Sequence, residues 1–483
     1  MIERIEFWRI FSLVFLVTAI PVAIIIIYEK RSPFKTIAWI MVLILLPFIG
    51  IIFYLFFGQE YRKRKLFSRR GIKTSTRFKN LAVNQIHDLN TKKMILNNEI
   101  QEKENIIRLL LNNSNALLTT GNKIQILNKG EATFNAISEA IKSAKHHIHL
   151  EYYIFSDDKI GNTIKDLLIR KSREGIQVRI IVDDVGSWGL SRKFFSGLRQ
   201  NGIEIYPFME VRFPRLTWKV NFRNHRKILI VDGEKAITGG SNIADRYIEG
   251  LKKIGNWNDL NIQIEGNAVS CLQQIFASDW HAMTNIELTG KNYYRTFPSN
   301  PENPVQIVAS GPDSEWENIS QAFFAAISNA RKRIALVSPY FMPPQPLISA
   351  LKTAALSNVD VKIIIPEKSD VITPKWSTFS YIEELLESNV NVYFYKKGFI
   401  HSKYMIVDDV FSTIGTANFD FRSLETNFEV NAFIYSISFN RSLEKQFLTD
   451  LKDSFKISLK KWKLRPWHFK LRESLAHIIA PMM

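Results

Sequence analysis

Two long apolar runs lie near the start of the chain. The first extends from Phe7 to Tyr28 and the second from Thr36 to Phe57, and a short charged loop separates them. Each is close to the roughly 20 residues that a helix needs to cross the hydrocarbon core of a bilayer. The alternatives are a cleaved signal peptide or a buried core helix. The first run has no small-residue cleavage site and a second run follows at once, so the pattern favours a two-span transmembrane helical hairpin over residues 1–60.

Basic residues around these runs predict their orientation. The loop between them carries Lys30, Arg31 and Lys35, whereas the segment after the second run is much more basic. Its cations are Arg62, Lys63, Arg64, Lys65, Arg69, Arg70, Lys73, Arg77 and Lys79. Because basic flanks stay in the cytoplasm, both termini and the body after Phe57 are expected there, at the cell membrane. Residues 61–122 are interpreted as a basic juxtamembrane segment and linker, suited to contact with anionic lipid.

Helical and strand patterns alternate after the linker. Apolar spacing predicts helices over Ala132–Ala144 and Ile164–Arg173. Ile148–Phe155 and Val178–Asp183 have the apolar, β-branched composition of strands. Such alternation is typical of a layered α/β domain, so the predicted fold class of the body is α/β.

The same order of elements returns about 180 residues later, which is the period of a duplicated domain and far too long for a solenoid. The matched segments are Ala140–Lys145 with Ala326–Arg331, Ile148–Leu150 with Ile334–Leu336, Val178–Val182 with Val361–Ile365, and Ile203–Tyr206 with Val390–Tyr393. We therefore predict two related halves, residues 123–300 and 301–483, each a mixed sheet flanked by helices.

Each half contains one copy of the pattern H-x-K-x-x-x-x-D with an apolar run inside it. The copies consist of His225, Lys227 and Asp232, and of His401, Lys403 and Asp408. On a strand, the histidine and lysine share a face because side chains alternate with period two. This combination suits a phosphate: the ammonium neutralises an oxygen, while the imidazole attacks phosphorus or protonates a leaving oxygen. Two copies would supply a nucleophile and an acid to one phosphodiester.

A Gly-rich turn ending in Asn follows each copy of the motif. The first turn carries Ser241 and Asn242, and the second carries Thr416 and Asn418. Glycine lets backbone N–H groups approach an anion, and the hydroxyl and amide add donors. These four residues are predicted to bind the phosphate of the substrate.

The duplication also aligns two carboxylates, Asp259 in the first half and Glu429 in the second. A carboxylate at the same place in both halves could accept a hydrogen bond from the second nitrogen of each imidazole. It would then fix the tautomer and raise the basicity of the histidine. The alternative is a surface or salt-bridging acid.

Composition limits the partners and the chemistry. The formal net charge of +18 indicates anionic partners, either nucleic acid or an anionic membrane surface. Cys271 is the one cysteine, so a disulfide within the chain is impossible. The cluster of His146, His147 and His149 matches no zinc spacing and is interpreted as a polar entrance to a strand. No metal site and no cofactor are expected.

The twin motifs resemble those of the phospholipase D superfamily, and the whole chain resembles its bacterial cardiolipin synthases. The resemblance includes Pro47-Phe48-Ile49-Gly50, Phe57-Gly58, Arg223-Asn224-His225-Arg226-Lys227, Ser310-Gly311-Pro312-Asp313, Ser338-Pro339-Tyr340-Phe341 and Asn418-Phe419-Asp420-Phe421-Arg422-Ser423. It implies metal-independent transfer of a phosphatidyl group between two phosphatidylglycerol molecules, through a phosphohistidine, with release of glycerol.

Carried over by motif position, His225 would be the nucleophile and His401 the general acid and then base. The resemblance further implies that Lys227, Lys403, Asn242 and Asn418 hold the phosphate, while Asp232 and Asp408 support the motif. On sequence grounds the two histidines are interchangeable. The alternatives are a phospholipase D-type hydrolase, a transferase with another donor or acceptor, a nuclease, and a non-catalytic lipid-binding protein. A hairpin in lipid argues against nucleic acid as a partner, and two intact motifs argue against loss of catalysis.

The carboxy-terminal tail mixes aromatic and basic residues. Its apolar members are Trp462, Leu464, Trp467 and Phe469, and its cations are Lys461, Lys463, Arg465 and Lys470. Such mixing suits a bilayer interface. An ordinary terminal helix that packs on the body explains it equally well.

Overall fold

The computed structural model describes residues 15, 17–28, 33–46, 48–54, 76–93, 96, 98–211, 222–298 and 302–480. The chain divides into two compact units. The smaller unit combines residues 1–70 with residues 211–221, and the larger one contains residues 71–210 and 222–483, which include nearly all of both predicted halves.

The described part of the smaller unit is helical. It contains α1 (residues 17–28), α2 (Pro33–Leu45) and α3 (Ile49–Phe53). Ile26, Leu43 and Tyr54 are buried together, and the rings of Trp39 and Tyr54 meet edge to face at 5.5 Å. Among the described residues, no helix combines the length and apolar character needed to cross a membrane. The predicted spans, residues 7–28 and 36–57, lie partly outside the described residues.

The predicted linker is ordered over much of its length. It forms α4 (Thr76–Asn90), α5 (Asn98–Gln101) and α6 (Glu104–Ser114). One face of α6 is buried through Ile106, Ile107, Leu110 and Leu111. The Gln306 side chain donates to the carbonyl oxygen of Ile107, which fastens α6 to the second half. This part of the chain therefore belongs to the body.

The first half of the body is built on a seven-stranded sheet. Its strands, together with the separate strand β7, are β1 (Lys123–Asn128), β2 (His147–Tyr152), β3 (Gln177–Asp183), β4 (Glu204–Phe208), β5 (Lys227–Val231), β6 (Lys235–Gly239), β7 (Asn256–Asn258) and β8 (Leu260–Glu265). Its helices are α7 (Gly130–Ser143), α8 (Lys159–Arg173), α9 (Arg192–Gln200), α10 (Arg246–Glu249) and α11 (Ala268–Thr284). The strand order is β1-β8-β6-β5-β2-β3-β4.

The second half repeats this plan on an eight-stranded sheet. The strands of this half are β9 (Val305–Ser310), β10 (Arg333–Val337), β11 (Phe341–Met342), β12 (Asp360–Pro366), β13 (Asn391–Tyr395), β14 (Gly398–Ile400), β15 (Tyr404–Val407), β16 (Phe411–Gly415), β17 (Phe419–Asp420), β18 (Glu429–Tyr435) and β19 (Ser454–Lys456). Its helices are α12 (Asn318–Ser328), α13 (Gln345–Leu356), α14 (Ile372–Ser380), α15 (Ile382–Glu387), α16 (Phe421–Glu425), α17 (Ile437–Lys452), α18 (Leu459–Lys463) and α19 (Trp467–Ile479).

The strand orders of the two sheets correspond. The second sheet runs β9-β18-β16-β15-β10-β12-β13-β19, so seven of its strands match the first sheet and β19 is an addition at one edge. The register matches as well: Leu150 lies opposite Leu229 in the first half, and Leu336 lies opposite Met405 in the second. The predicted duplication is confirmed.

The two halves are joined by backbone pairing next to the motifs. β14 pairs in parallel with β7, so the segment before His401 runs beside the segment before Asp259. An isolated parallel bridge between Asn224 and Phe428 makes the equivalent connection before His225 and Glu429. These two crossings bring the four predicted polar residues together.

Candidate active site

Both copies of the motif start at the beginning of a buried strand. β5 begins at Lys227 and contains Ile228, Leu229, Ile230 and Val231, all buried, as the apolar run predicts. β15 begins one residue after Lys403 and is buried in the same way. The two histidines, which precede these strands, and the two lysines are buried as well. Each of these strands pairs with a neighbour on both sides, so its start, where the histidine lies, is held in place.

Each histidine is bonded to a carboxylate from the opposite half. The Nδ1 atom of His225 lies 2.9 and 3.0 Å from the two carboxylate oxygens of Glu429. The Nδ1 atom of His401 lies 2.6 Å from Oδ2 of Asp259. The backbone also connects the two halves at these points. The N–H group of His225 donates to the carbonyl oxygen of Phe428, and that of His401 donates to the carbonyl oxygen of Asn258. Asp259 and Glu429 therefore lie where the alignment of the halves predicts an orienting carboxylate.

The lysines lie against the histidines. Nζ of Lys227 donates to the carbonyl oxygen of His225 at 2.7 Å. Nζ of Lys403 donates to the carbonyl oxygen of His401 and lies 2.9 Å from its Nδ1. The Lys403 ammonium is close enough to lower the pKa of Lys227. The centre therefore collects positive charge, which suits an anion.

Burial lowers the pKa of both histidines and both lysines. It lowers the pKa of His225 to about 4, with Lys227 acting in the same direction and Glu429 opposing. The pKa of His401 is lowered well below its ordinary value by burial and by both lysines. Burial also lowers the pKa of Lys227 to about 7 and that of Lys403 to about 8. The imidazoles are consequently neutral at physiological pH.

The two carboxylates differ from each other. Burial opposes ionisation of Glu429, but the neighbouring His225 and Lys227 outweigh it and the pKa of Glu429 is lowered. Burial raises the pKa of Asp259 to about 7, despite Lys403 and Lys227 nearby. Glu429 is therefore a fixed negative charge, whereas Asp259 holds a proton that titrates near neutrality. The equivalent positions are chemically distinct.

The Gly-rich turns lie beside these carboxylates. A Cβ atom on Gly240 would meet Oδ1 of Asp259 at 1.9 Å, so only glycine admits the carboxylate there. The hydroxyl of Thr416 donates to Glu429, and the hydroxyl of Ser241 accepts from Asn261. Thr416 thus helps to orient the carboxylate that faces His225.

The two motif asparagines have different surroundings. Oδ1 of Asn242 accepts from the backbone N–H of Ile154 at 3.0 Å, and its amide nitrogen donates to the hydroxyl of Tyr247. Oδ1 of Asn418 is buried without a hydrogen-bond partner among the residues that the structure describes. The two turns are related by the duplication, but their side-chain contacts have diverged.

The last residue of each motif supports the sheet from its other end. The carboxylate of Asp232 accepts from the backbone N–H groups of Lys145, His146 and His147. Asp408 accepts in the same way from the N–H groups of Arg331, Lys332 and Arg333. Both lie past the far end of the strand that each histidine precedes. They hold the entrance of the neighbouring strand and do not reach the imidazoles.

Asp408 also forms a buried ion pair with Lys103 of the predicted linker, at 2.9 Å. Lys103→Met should destabilise the folded body by about 1–3 kcal/mol, because a buried charge loses its partner. Lys103 and backbone N–H groups lower the pKa of Asp408 despite its burial. The stabilisation by Asp408 is then present above the ordinary aspartate pKa and lost as pH falls below it. Lys103→Met should reduce this loss in acid, measured by thermal unfolding in detergent at several pH values.

The matched control is Lys352→Met, which removes a half-exposed pair with Glu384. Such pairs contribute about 0–1 kcal/mol, so its unfolding temperature should hardly change. Equal destabilisation by the two substitutions would show that the pair of Lys103 and Asp408 has no special role.

Aromatic side chains around the histidines have no counterpart in the sequence prediction. The ring of Tyr153 lies 4.9 Å from that of His225, and the ring of Trp257 lies 4.9 Å from that of His401. The guanidinium of Arg246 lies over the ring of Trp257. Arg246 and Arg422 each follow the motif asparagine of their half by four residues, so the duplication could have identified this pair.

Comparisons with known proteins agree with this architecture. A family model described as "Cardiolipin synthase, PLD-like domain" matches residues 137–280 and 323–451, and one described as "Phospholipase_D-nuclease N-terminal" matches residues 17–59. The chain is 39% identical to a cardiolipin synthase of Halalkalibacterium halodurans, over 99% of this chain and 96% of the relative. It is 38% identical to the major cardiolipin synthase of Bacillus subtilis, over 98% of both chains.

A solved structure shows the same fold at low sequence identity. The phosphatidylserine synthase of Haemophilus influenzae superposes with a TM-score of 0.60 and 14% identity, covering 80% of this chain and 100% of the other. This likeness concerns the arrangement of the duplicated α/β body.

Proposed function

The chain belongs to the cardiolipin synthase family with phospholipase D-like domains, and from this premise we propose that it joins two phosphatidylglycerol molecules into cardiolipin and glycerol. Nε2 of His225 attacks the phosphorus of the first lipid, and the bond to glycerol breaks as the pair of His401 and Asp259 supplies a proton to the leaving oxygen. The pair then takes a proton from a hydroxyl of the second lipid. That oxygen attacks the phosphohistidine, which releases cardiolipin and restores His225.

The observation that carries this proposal is that each histidine is hydrogen-bonded to a carboxylate from the opposite half. With Nδ1 of each histidine bonded to a carboxylate, the reactive Nε2 atoms are the ones left to meet a phosphodiester. Within the described residues, neither Nε2 has a hydrogen-bond partner. Two imidazoles with separate orienting groups are what a double displacement requires, since one must bond to phosphorus while the other moves the proton.

The difference between the carboxylates supports the division of roles. A histidine bonded to phosphorus carries positive charge, and the ionised Glu429 beside His225 stabilises it. A general acid needs a proton near neutral pH, and the pair of His401 and Asp259 retains one because the pKa of Asp259 is about 7. When a phosphodiester brings negative charge between the lysines, the pKa of His401 rises and the proton can pass to it.

The remaining motif residues have supporting roles in this proposal. Lys227 and Lys403 neutralise the non-bridging oxygens of the phosphate. Asn242 and Asn418, with Ser241 and Thr416 in the same turns, complete the phosphate site as the sequence predicts. Asp232 and Asp408 maintain the strands from behind.

Transfer in preference to hydrolysis follows from the surroundings. Exchange of one phosphodiester for another is nearly thermoneutral, so a covalent intermediate needs no external energy source. The rings of Tyr153, Trp257 and Phe399 lie within 6 Å of an imidazole and restrict water around it. A lipid alcohol held at the site then competes well with water for the phosphohistidine.

We also propose that residues 1–60 anchor the protein in the cell membrane as a two-span hairpin, with both termini and the body in the cytoplasm. The amino-terminal family match supports a membrane-associated segment. Within the described helices, Ile24, Ile27, Ile37, Ile44 and Leu45 are exposed, which suits side chains that face lipid. The topology is tested with tags at both termini in oriented membrane vesicles. Protease added on the cytoplasmic face should cleave both tags, and a tag that resists this protease would contradict the proposed topology.

The purified protein in phosphatidylglycerol vesicles should form cardiolipin and glycerol in equal amounts, without added metal or nucleotide. Products are measured by mass spectrometry and an enzymatic glycerol assay. Phosphatidic acid as the sole product would contradict the proposal and identify a hydrolase. Vesicles that also contain phosphatidylethanolamine would show whether another donor is used.

The rate should fall as pH rises through about 7 to 8. The pair of His401 and Asp259 loses its proton in this interval, and Lys227 and Lys403, with pKa values of about 7 and 8, lose positive charge in it too. All three changes act in the same direction. Asp259→Asn removes one of the groups that titrate in this interval. The fall of kcat/KM at alkaline pH should therefore differ from that of the unchanged protein. A rate that stays constant from pH 7 to 9 would contradict this assignment.

A further inference from the structure

The carboxy-terminal helix α19 has an apolar face that no part of the described chain covers. Trp467, Leu471, Leu475 and Ile478 have exposed fractions of 74%, 49%, 57% and 72%. At about 100° per residue these four side chains fall within roughly 80° of arc. We call them the carboxy-terminal apolar stripe. Four large apolar side chains on one exposed face are unusual for a soluble surface and indicate an interaction site.

The opposite face fastens α19 to the body. The hydroxyl of Ser377 donates to the carbonyl oxygen of Ala476 at 2.7 Å, and the hydroxyl of Ser380 lies 2.9 Å from Nδ1 of His477. The ring of Phe469 meets that of Trp376 at 5.7 Å. The stripe is thus carried on a helix that is already docked, so its exposure is not the fraying of a chain end.

The structure separates the apolar residues of the tail into two groups. Trp462 is buried, with the guanidinium of Arg465 against its ring, and Phe469 packs on Trp376. Leu464 and Trp467 are exposed. Of the two interpretations of the tail, packing on the body therefore explains one group and leaves the other without a partner.

A short series of contacts leads from the active site to the helix that carries α19. The ring of Phe399 lies 5.7 Å from that of His401, and the ring of Tyr340 lies 6.2 Å from that of Phe399. The hydroxyl of Tyr340 donates to Asp370 at 2.6 Å. The next two residues, Val371 and Ile372, are exposed apolar residues at the start of α14, on which α19 packs. A series of contacts thus connects the active site with the helix on which α19 packs.

Charge around the stripe favours an anionic partner. The segment from α18 through α19 contains six cations and one acid, Glu473. The cations are Lys460, Lys461, Lys463, Arg465, Lys470 and Arg472. Lys463 pairs with Glu387 and Arg465 with Glu473, and the other four have no ion pair within the described residues. A second copy of this face would be repelled by the same charge, whereas anionic phospholipid would be attracted.

We propose that the carboxy-terminal apolar stripe inserts into the interface of a bilayer that contains anionic phospholipid, and that it seats the body against the lipid headgroups. The apolar side chains enter the acyl boundary while the flanking cations bind phosphates, the arrangement of an interfacial amphipathic helix. This contact is separate from the proposed amino-terminal hairpin. It does not depend on the reaction catalysed.

A fluorescent probe reports whether the stripe enters lipid. The full chain with Cys271→Ser and Leu471→Cys carries the probe on the stripe, and Cys271→Ser with Ser442→Cys carries it on the exposed surface of α17. Both proteins are placed in vesicles of phosphatidylcholine with phosphatidylserine. The Leu471 probe should show blue-shifted emission and protection from iodide, while the Ser442 probe stays accessible. Equal accessibility of the two probes to iodide would overturn the proposal. Protection of the Leu471 probe that persists in detergent, together with energy transfer between copies, would also overturn it, because the stripe would then bind a second copy of the chain.

A rate comparison tests the consequence for the substrate. The double substitution Leu471→Ser and Leu475→Ser should lower the ratio of the rate on phosphatidylglycerol in vesicles to that in detergent micelles by about tenfold, because apolar burial in lipid is lost. Leu448→Ser, which changes a similarly exposed leucine on α17, should leave this ratio unchanged. An unchanged ratio in the double variant would overturn the seating role. Failure to make cardiolipin in either form would concern the proposed reaction and not this surface.

Discussion

His225→Ala should lower the rate of cardiolipin formation by at least about 10²–10⁴-fold, the range typical of lost acid–base catalysis, and should abolish the covalent phosphoenzyme. The imidazole supplies the nucleophile, and the alanine side chain has no nitrogen to replace it. Lys227 and Lys403 remain, so lipid binding persists while chemistry stops. Rates are measured on phosphatidylglycerol vesicles, and the phosphoenzyme is detected by acid-labile labelling with ³²P-labelled lipid.

His401→Ala should lower the rate over the same range by a different route. The nucleophile is intact, so slow formation of a phosphoenzyme is expected, and its transfer to the second lipid is blocked. His146→Ala is the matched control, because the His146 side chain is exposed and Asp232 bonds only to its backbone N–H, which alanine retains. Near-normal turnover in either active-site variant would contradict a shared site, and a phosphoenzyme in His225→Ala alone would reverse the roles.

Glu429→Gln should lower the rate by about 10²–10⁴-fold at every pH from 6 to 8, close to the effect of removing the histidine itself. The substitution keeps the size of the side chain but removes the negative charge that accepts from Nδ1 of His225. Glutamine can present its amide nitrogen to Nδ1, which favours the tautomer with a protonated Nε2 and removes the lone pair that attacks phosphorus. The rate on vesicles and the yield of phosphoenzyme should fall together.

Glu265→Gln is the matched control for this substitution. Glu265 is the last residue of β8 and is partly exposed, in an ion pair with Lys235. Its replacement should leave the rate within about twofold, as expected for a weak surface pair. If Glu429→Gln retained most of the activity, the carboxylate would be a structural acid, and the role of orienting His225 would have to be abandoned.

The sequence predicted the buried strand of the first motif from the short apolar run that follows His225 and Lys227. It also predicted the equivalence of Asp259 and Glu429. It did not predict which histidine each carboxylate meets. Aligning one half with the other shows that the two carboxylate positions are equivalent. The alignment is the same whether each carboxylate contacts the histidine of its own half or that of the other half.

Other differences have local causes. In the polar residues 61–122 the helical periodicity is weak and limited to the stretch around Ile106 to Leu118, and α6 forms there with four apolar residues buried between positions 106 and 111. Ser241 and Thr416 were predicted as phosphate donors from their place in Gly-rich turns. The structure shows that Thr416 donates to Glu429, a contact that depends on tertiary proximity. A turn sequence specifies the backbone, but the partner of a hydroxyl is set by what packs against it.

The crossed bonds between the halves have a consequence for ancestry. A chain with a single motif and the same contacts would possess a histidine and a carboxylate that cannot meet each other, so its site would be complete only in a symmetric dimer. Joining two such subunits in one polypeptide removes the constraint that both copies of the interface stay identical. Asp259 opposite His401 and Glu429 opposite His225 are the visible result. One gene product can thus give the two histidines separate ionisation states, which a homodimer of identical subunits has no means to encode.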